Sequence, residues 1–152
     1  MRRSLLVMAV FAAAMTAAHA ANPEDRAAEL LARLPSQRML REARDMLVLS
    51  WAAFPEPIHK NAAELEQARR IVGLAKEVVP QLRPLIRPGA SVFDYRGLLA
   101  HGDISWDETS NEYRLYIGVY LKGDQGRQPY DFRITFDAKG KVIAVEDVVW
   151  KS

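Results

Sequence analysis

The 152-residue sequence contains no cysteine. That excludes disulfides, thiolate metal sites, cysteine nucleophiles and lipidated cysteines. Histidine is also scarce, at three residues, and no His-x-x-x-His pair occurs. There is no glycine-rich phosphate loop. None of Ser91, Ser105 or Ser110 has a nucleophile-elbow context. The unbroken apolar run Leu5–Met15 is about half the ~20 residues needed to span a bilayer, and no other stretch is long enough. Internal repeats and low-complexity tracts are absent, and the composition, 49% hydrophobic and 26% charged, is that of an ordinary globular protein.

What is present begins with an address. Arg2-Arg3, the Leu5–Met15 run and Ala18-His19-Ala20 have the layout of a secretory signal peptide, with cleavage expected after Ala20. Residues 21–152 then form one α+β domain. Removing Arg2 and Arg3 from the 21 basic residues leaves 19, against 19 acidic ones. A neutral mature chain is not built to seek nucleic acid. The expected location is the bacterial periplasm or the medium, with no membrane-spanning segment after cleavage.

Three helices come first. Asn22-Pro23-Glu24-Asp25 reads as a capped start, with proline in the first turn and acids at the positive helix end, predicting a helix over 23–33. Met39, Leu40, Ala43, Met46, Leu47, Ser50, Trp51 and Phe54 follow helical spacing and predict a helix over 36–54, ended by Pro55-Glu56-Pro57. Leu65, Ala68, Val72, Ala75 and Val79 predict a third over 61–79, with Pro80 as its stop and a short turn before Pro88-Gly89.

Beyond Gly89 the period changes to two. Strands are predicted over 98–106, 112–121, 129–137 and 141–150. Tyr113, Leu115, Ile117, Phe132, Ile134 and Phe136 fall on the buried face, while Arg114, Tyr116, Tyr120 and Arg133 fall on the other. Asp137-Ala138-Lys139-Gly140 predicts a tight hairpin turn, and alternation slips at Glu146-Asp147. The fold class expected is α+β, with N-terminal helices on one face of a C-terminal four-stranded antiparallel meander. In general layout this is similar to cystatin-like and NTF2-like folds. The segment Tyr130–Val142, about a tenth of the chain, resembles the terminal hairpin of PepSY modules and of small BamE-like outer-membrane assembly proteins. What it shares with them is an apolar hairpin closed by Asp-x-x-Gly-x-Val, a local pattern that fixes no family.

Candidate chemistry is thin. His101 and Asp103 are the right types for an acid–base pair and would share a face on a strand, but no nucleophile accompanies them. Asp103, Asp107, Glu108 and Glu112 gather near one hairpin without the spacing of a calcium loop, so neither a metal nor a cofactor is expected. Arg114, Tyr116, Tyr120 and Arg133 form a candidate recognition surface, because aromatic and arginine side chains on an exposed face suit macromolecular contacts. Trp51, Trp106, Tyr113, Phe132 and Phe136 are candidate lining for an apolar pocket between sheet and helices. The function expected is a non-catalytic binding module that engages another envelope protein or macromolecule. The alternative is a small apolar ligand binder or an NTF2-like enzyme.

Overall fold

The computed structural model describes residues 22–51, 62–120 and 130–148, the side chains of 48–51 excepted. The predicted leader, the predicted Pro55–Pro57 break, the 122–128 loop and the end of the last predicted strand lie outside them. The described residues form helices followed by a four-stranded antiparallel meander, an α+β arrangement.

Helix α1 spans Pro23–Arg33. The Asn22 side-chain oxygen accepts from the N–H of Glu24 (2.9 Å) and Asp25 (3.5 Å), satisfying donors that the first turn leaves without partners. Ala27, Ala28, Leu30 and Leu31 form its buried stripe. Helix α2 covers Gln37–Trp51, with the Ser36 hydroxyl accepting from the Met39 N–H at 3.2 Å. Its Ala43 packs with Ala68 and Val72 of the next helix, with Met46 and Leu47 alongside.

Helix α3 spans Ala62–Leu82 and so continues past Val79, through Pro80. An interior proline costs about 3 kcal/mol. Val78, Val79 and Leu82 are all buried, each contributing about 1.5–3 kcal/mol, and the proline ring faces solvent. Packing therefore outweighs the local stop signal. A 3-10 turn, Arg83–Leu85, follows. The buried Tyr95 hydroxyl then clamps the chain, donating to the Leu85 carbonyl (3.0 Å) and accepting from the Arg87 N–H (3.2 Å).

The first predicted strand needs correction. Residues Leu98–His101 form a short helix, α4, entered through Gly97 at φ +86°. The strand β1 begins only at Asp103 and ends at Asp107. Leu98 and Leu99 were compatible with either period, and burial of Leu98 under the helices decided it. Gly102 lies between α4 and β1, where a Cβ would come within 2.7 Å of the side chains of Leu115 and Ile117.

Strands β2 (Glu112–Gly118), β3 (Asp131–Asp137) and β4 (Val142–Glu146) complete the sheet in the order β1-β2-β3-β4. One inner row is Ile104–Leu115–Ile134–Val145, and the next is Trp106–Tyr113–Phe136–Val142. The outer rows are Asp103–Tyr116–Arg133–Glu146 and Ser105–Arg114–Thr135–Ala144. The register shifts between Thr135 and Phe136, which leaves Ile143 as an extra residue on β4. The irregularity is thus at Ile143 rather than at Glu146-Asp147, where β4 simply stops. Its cause is visible in Val142, whose N–H and C=O both turn to the segment Gly89–Ala90 (2.8 Å each).

Leu115, Ile117, Phe132 and Ile134 on the inner face are fully buried in one core with Leu30, Leu31 and Leu34 of α1 and Val78, Val79 and Leu82 of α3. No described helix is long and apolar enough to cross a membrane.

Candidate binding site at the β1 edge

The outer sheet face carries three of the four residues expected to form a recognition surface. Arg114, Tyr116 and Arg133 occupy adjacent rows there, while Tyr120 lies two residues past the end of β2, exposed. The arginines are already engaged. Arg114 pairs with Asp107 at 3.1 Å and Arg133 with Glu146 at 2.7 Å. The Glu146 hydrogen bond raises the Arg133 pKa above its ordinary value, opposed by partial burial and reinforced by neighbouring Tyr116. The Thr109 N–H on its carboxylate holds Asp107 below the usual range, opposed by desolvation, with Ser110 and then Arg114 adding to the lowering. Asp103 is held by Arg41 of α2 at 3.2 Å. Thr135 and Asp131, which alternate with the inner-face residues of β3, are buried all the same because β3 is an inner strand of the sheet.

His101 and Asp103 are not brought together by a hydrogen bond. The His101 Nε2 lies 2.7 Å from the Leu34 carbonyl, which can only accept, so Nε2 carries the proton. Its Nδ1 is buried without a partner. The ring ties α4 to the end of α1, and Asp103 turns to Arg41 instead. No group of three or more metal-ligating side chains occurs among the described residues.

The candidate pocket residues separate into two environments. Phe132 is fully buried beneath the helices. Phe136 lies four residues further along the strand, roughly 13 Å away. There it stacks on Tyr113 (centroids 5.2 Å apart, planes 12° apart), and Tyr113 in turn meets Trp106 at 4.5 Å, tilted by 50°. The Trp51 side chain lies outside the described residues.

This aromatic row runs out to β1, which pairs only with β2 among the described residues. At that edge Ile104 is 48% exposed and Trp106 44%, side by side on the inner face. Both belong to a face that is otherwise core. Asp103 and Asp107 close the two ends of the strand. Glu108, exposed, and Glu112, partly exposed, lie in and after the following turn with no cation partner among the described residues. The sequence reading placed Trp106 in a pocket and overlooked Ile104. The available signal was the pair of aspartates bracketing Ile-Ser-Trp, since charges at strand ends mark an edge that must be kept from self-pairing. Comparison with protein-family models, curated proteins and solved structures finds no match to the chain.

Proposed function

We propose that this chain is an exported bacterial envelope protein that acts as a non-catalytic binding module. Its partner is an extended segment of another envelope protein, added along the free edge of β1. The supporting observation is the half-exposed Ile104–Trp106 pair on a strand with an open edge and acidic surroundings. An added strand satisfies main-chain groups and places alternate side chains against a pocket or stripe. Apolar side chains of the partner would lie on Ile104 and Trp106, and basic ones would face Glu108 and Glu112. A second copy of the chain is a poor occupant. Antiparallel self-pairing about Ser105 sets Asp103 against Asp107, and like charges directly opposite are destabilising.

The test is titration of isotope-labelled protein with an alternating lysine–valine peptide and, separately, an alternating glutamate–valine peptide. Saturable amide shifts confined to β1 and the Asp107–Glu112 turn, with the basic peptide alone, support the reading. Shifts elsewhere, or equal response to both peptides, refute it. Shifts at Trp106, Tyr113 and Phe136 with a small apolar probe but with neither peptide would instead favour a small apolar ligand, for which the aromatic row is the supporting feature. Export is tested separately. Expression in a bacterial host with residues 1–20 should give periplasmic protein beginning at Ala21, and retention of the leader on cytoplasmic protein would refute it.

A further inference from the structure

The basic side chains are unevenly committed. Ten arginines of the described residues form ion pairs. Lys76 lies 5.2 Å from the centre of the Tyr130 ring. Among the described residues, those basic ones left without an acidic partner are Arg87, Arg96, Lys139 and Lys141, all exposed. They belong to two turns that the backbone holds side by side. Val92 N–H donates to the Gly140 carbonyl and Gly89 N–H to the Val142 carbonyl, both at 2.8 Å, and Ser91 bridges Lys141. Arg87 and Arg96 flank this segment through the Tyr95 clamp.

Between them stands Phe93, the most exposed large hydrophobic residue described, at 68%. Its backbone is nevertheless anchored. Ser91 Oγ accepts from its N–H at 3.2 Å, and its ring lies over Gly140, where a Cβ would collide with it. Ile143, half-exposed, extends β4 just beyond Lys141. The acids of the same turns are Asp94 and Asp137. Asp137 is occupied by the N–H groups of Lys139 and Lys141, both at 2.9 Å, which leaves Asp94 as the one uncommitted acid.

We propose that this tip, formed by Phe93 with Arg87, Arg96, Lys139 and Lys141, docks on an anionic phospholipid bilayer. The order of groups matches that of a leaflet. Long cationic side chains reach headgroup phosphates while a protruding apolar ring enters the acyl boundary. The charges sit on mobile stems around a protruding ring and are not fixed in a fork, which suits a fluid anionic surface better than one acidic peptide. The tip shares no residue with β1 or with residues 1–20, so lipid docking is independent of the binding role assigned above.

The experiment is co-sedimentation of the purified chain with vesicles of equal parts phosphatidylglycerol and phosphatidylcholine, and with pure phosphatidylcholine, at low and high salt. Binding is expected to the anionic vesicles alone and to weaken with salt. Each basic residue near the surface is worth about a factor of five, so Lys139→Gln with Lys141→Gln should weaken partitioning about 25-fold. Phe93→Ser should also reduce it, with unchanged amide exchange in the sheet confirming the fold. Arg69→Gln, about 20 Å along α3 from its Leu82 end, should have no effect. Equal binding to neutral vesicles, or indifference to the lysine pair, would overturn the proposal. So would binding to polyglutamate as tight as to vesicles and insensitive to Phe93→Ser, which would make the tip a site for acidic polymers.

Discussion

Two glycines with positive φ offer a controlled comparison of what a single methyl group costs. Gly118 (φ +102°) ends β2, and Gly140 (φ +85°) closes the β3–β4 turn. Alanine at either position takes on the left-handed backbone penalty of about 1–2 kcal/mol. The two sites differ in what the Cβ meets. At Gly118 it strikes the Tyr130 carbonyl and comes within 2.8 Å of the Asp131 Cα, all of it main chain entering β3. Relief requires the two strands to part, which threatens the Val119 N–H to Tyr130 carbonyl bond (2.8 Å) and the bond from Gln37 Nε2 to the Gly118 carbonyl (2.6 Å). Each bond contributes about 0.5–1.5 kcal/mol, so Gly118→Ala should cost about 2–5 kcal/mol in all. At Gly140 the obstacle is the Phe93 ring, an exposed side chain free to swing outward. Gly140→Ala should therefore cost little beyond the backbone penalty, about 1–2 kcal/mol. Adding Phe93→Ala to it should change that cost by less than about 0.5 kcal/mol. Urea denaturation midpoints at constant slope measure all three variants. The reasoning fails if Gly118→Ala is no more damaging than Gly140→Ala, since both would then be paying for backbone conformation alone.

Tyr95→Phe removes a buried hydroxyl that holds Leu85 and Arg87, and should destabilise by about 1–3 kcal/mol in the same urea experiment, with amide exchange at Arg87 accelerated. Asn22→Ala removes the α1 cap and should cost about 1 kcal/mol, read from thermal denaturation. The Asp107 carboxylate has a folded pKa below its ordinary 3.8, so its contribution is complete above that value and disappears as pH falls through the lower folded one. The Thr109 amide resonance should report that loss in an acid titration, and Asp107→Asn should abolish it. Trp106→Ser, at a half-exposed edge, should lower stability by less than Phe132→Ala, which opens a cavity in the core and should cost about 3–5 kcal/mol.

The order of helices and strands was legible because the period of the apolar residues changes once, near Gly89. The faces of β2 and the inner face of β3 followed from alternation at Leu115, Ile117, Phe132 and Ile134. Three features were not legible, each for a physical reason. Pro80 reads as a stop, and only the packing of Leu82 in three dimensions carries α3 past it. Leu98 and Leu99 fit a strand until Gly97 takes a positive φ. The bulge at Ile143 arises from Val142 hydrogen bonding to Gly89 and Ala90, a segment some fifty residues upstream that no local pattern announces. At the candidate site, Arg114 and Arg133 were correctly placed on the outer face, but their ion pairs with Asp107 and Glu146 depend on cross-strand register. The edge position of β1 follows from the predicted meander, but the half-exposure of Ile104 and Trp106 there depends on how far the helices reach across the sheet.

The separation of helices and sheet along the chain has a consequence for synthesis. Contacts within the meander are mostly between neighbours in sequence, so the sheet can form by hairpin extension. The apolar stripes of α1 and α3 are made first and have only each other and α2 to cover them. Their cover, the face bearing Leu115, Ile117, Phe132 and Ile134, leaves the ribosome after them. Until the β3–β4 hairpin is complete, an emerging chain presents those stripes to any chaperone within reach, and a truncation ahead of β3 should leave them permanently uncovered.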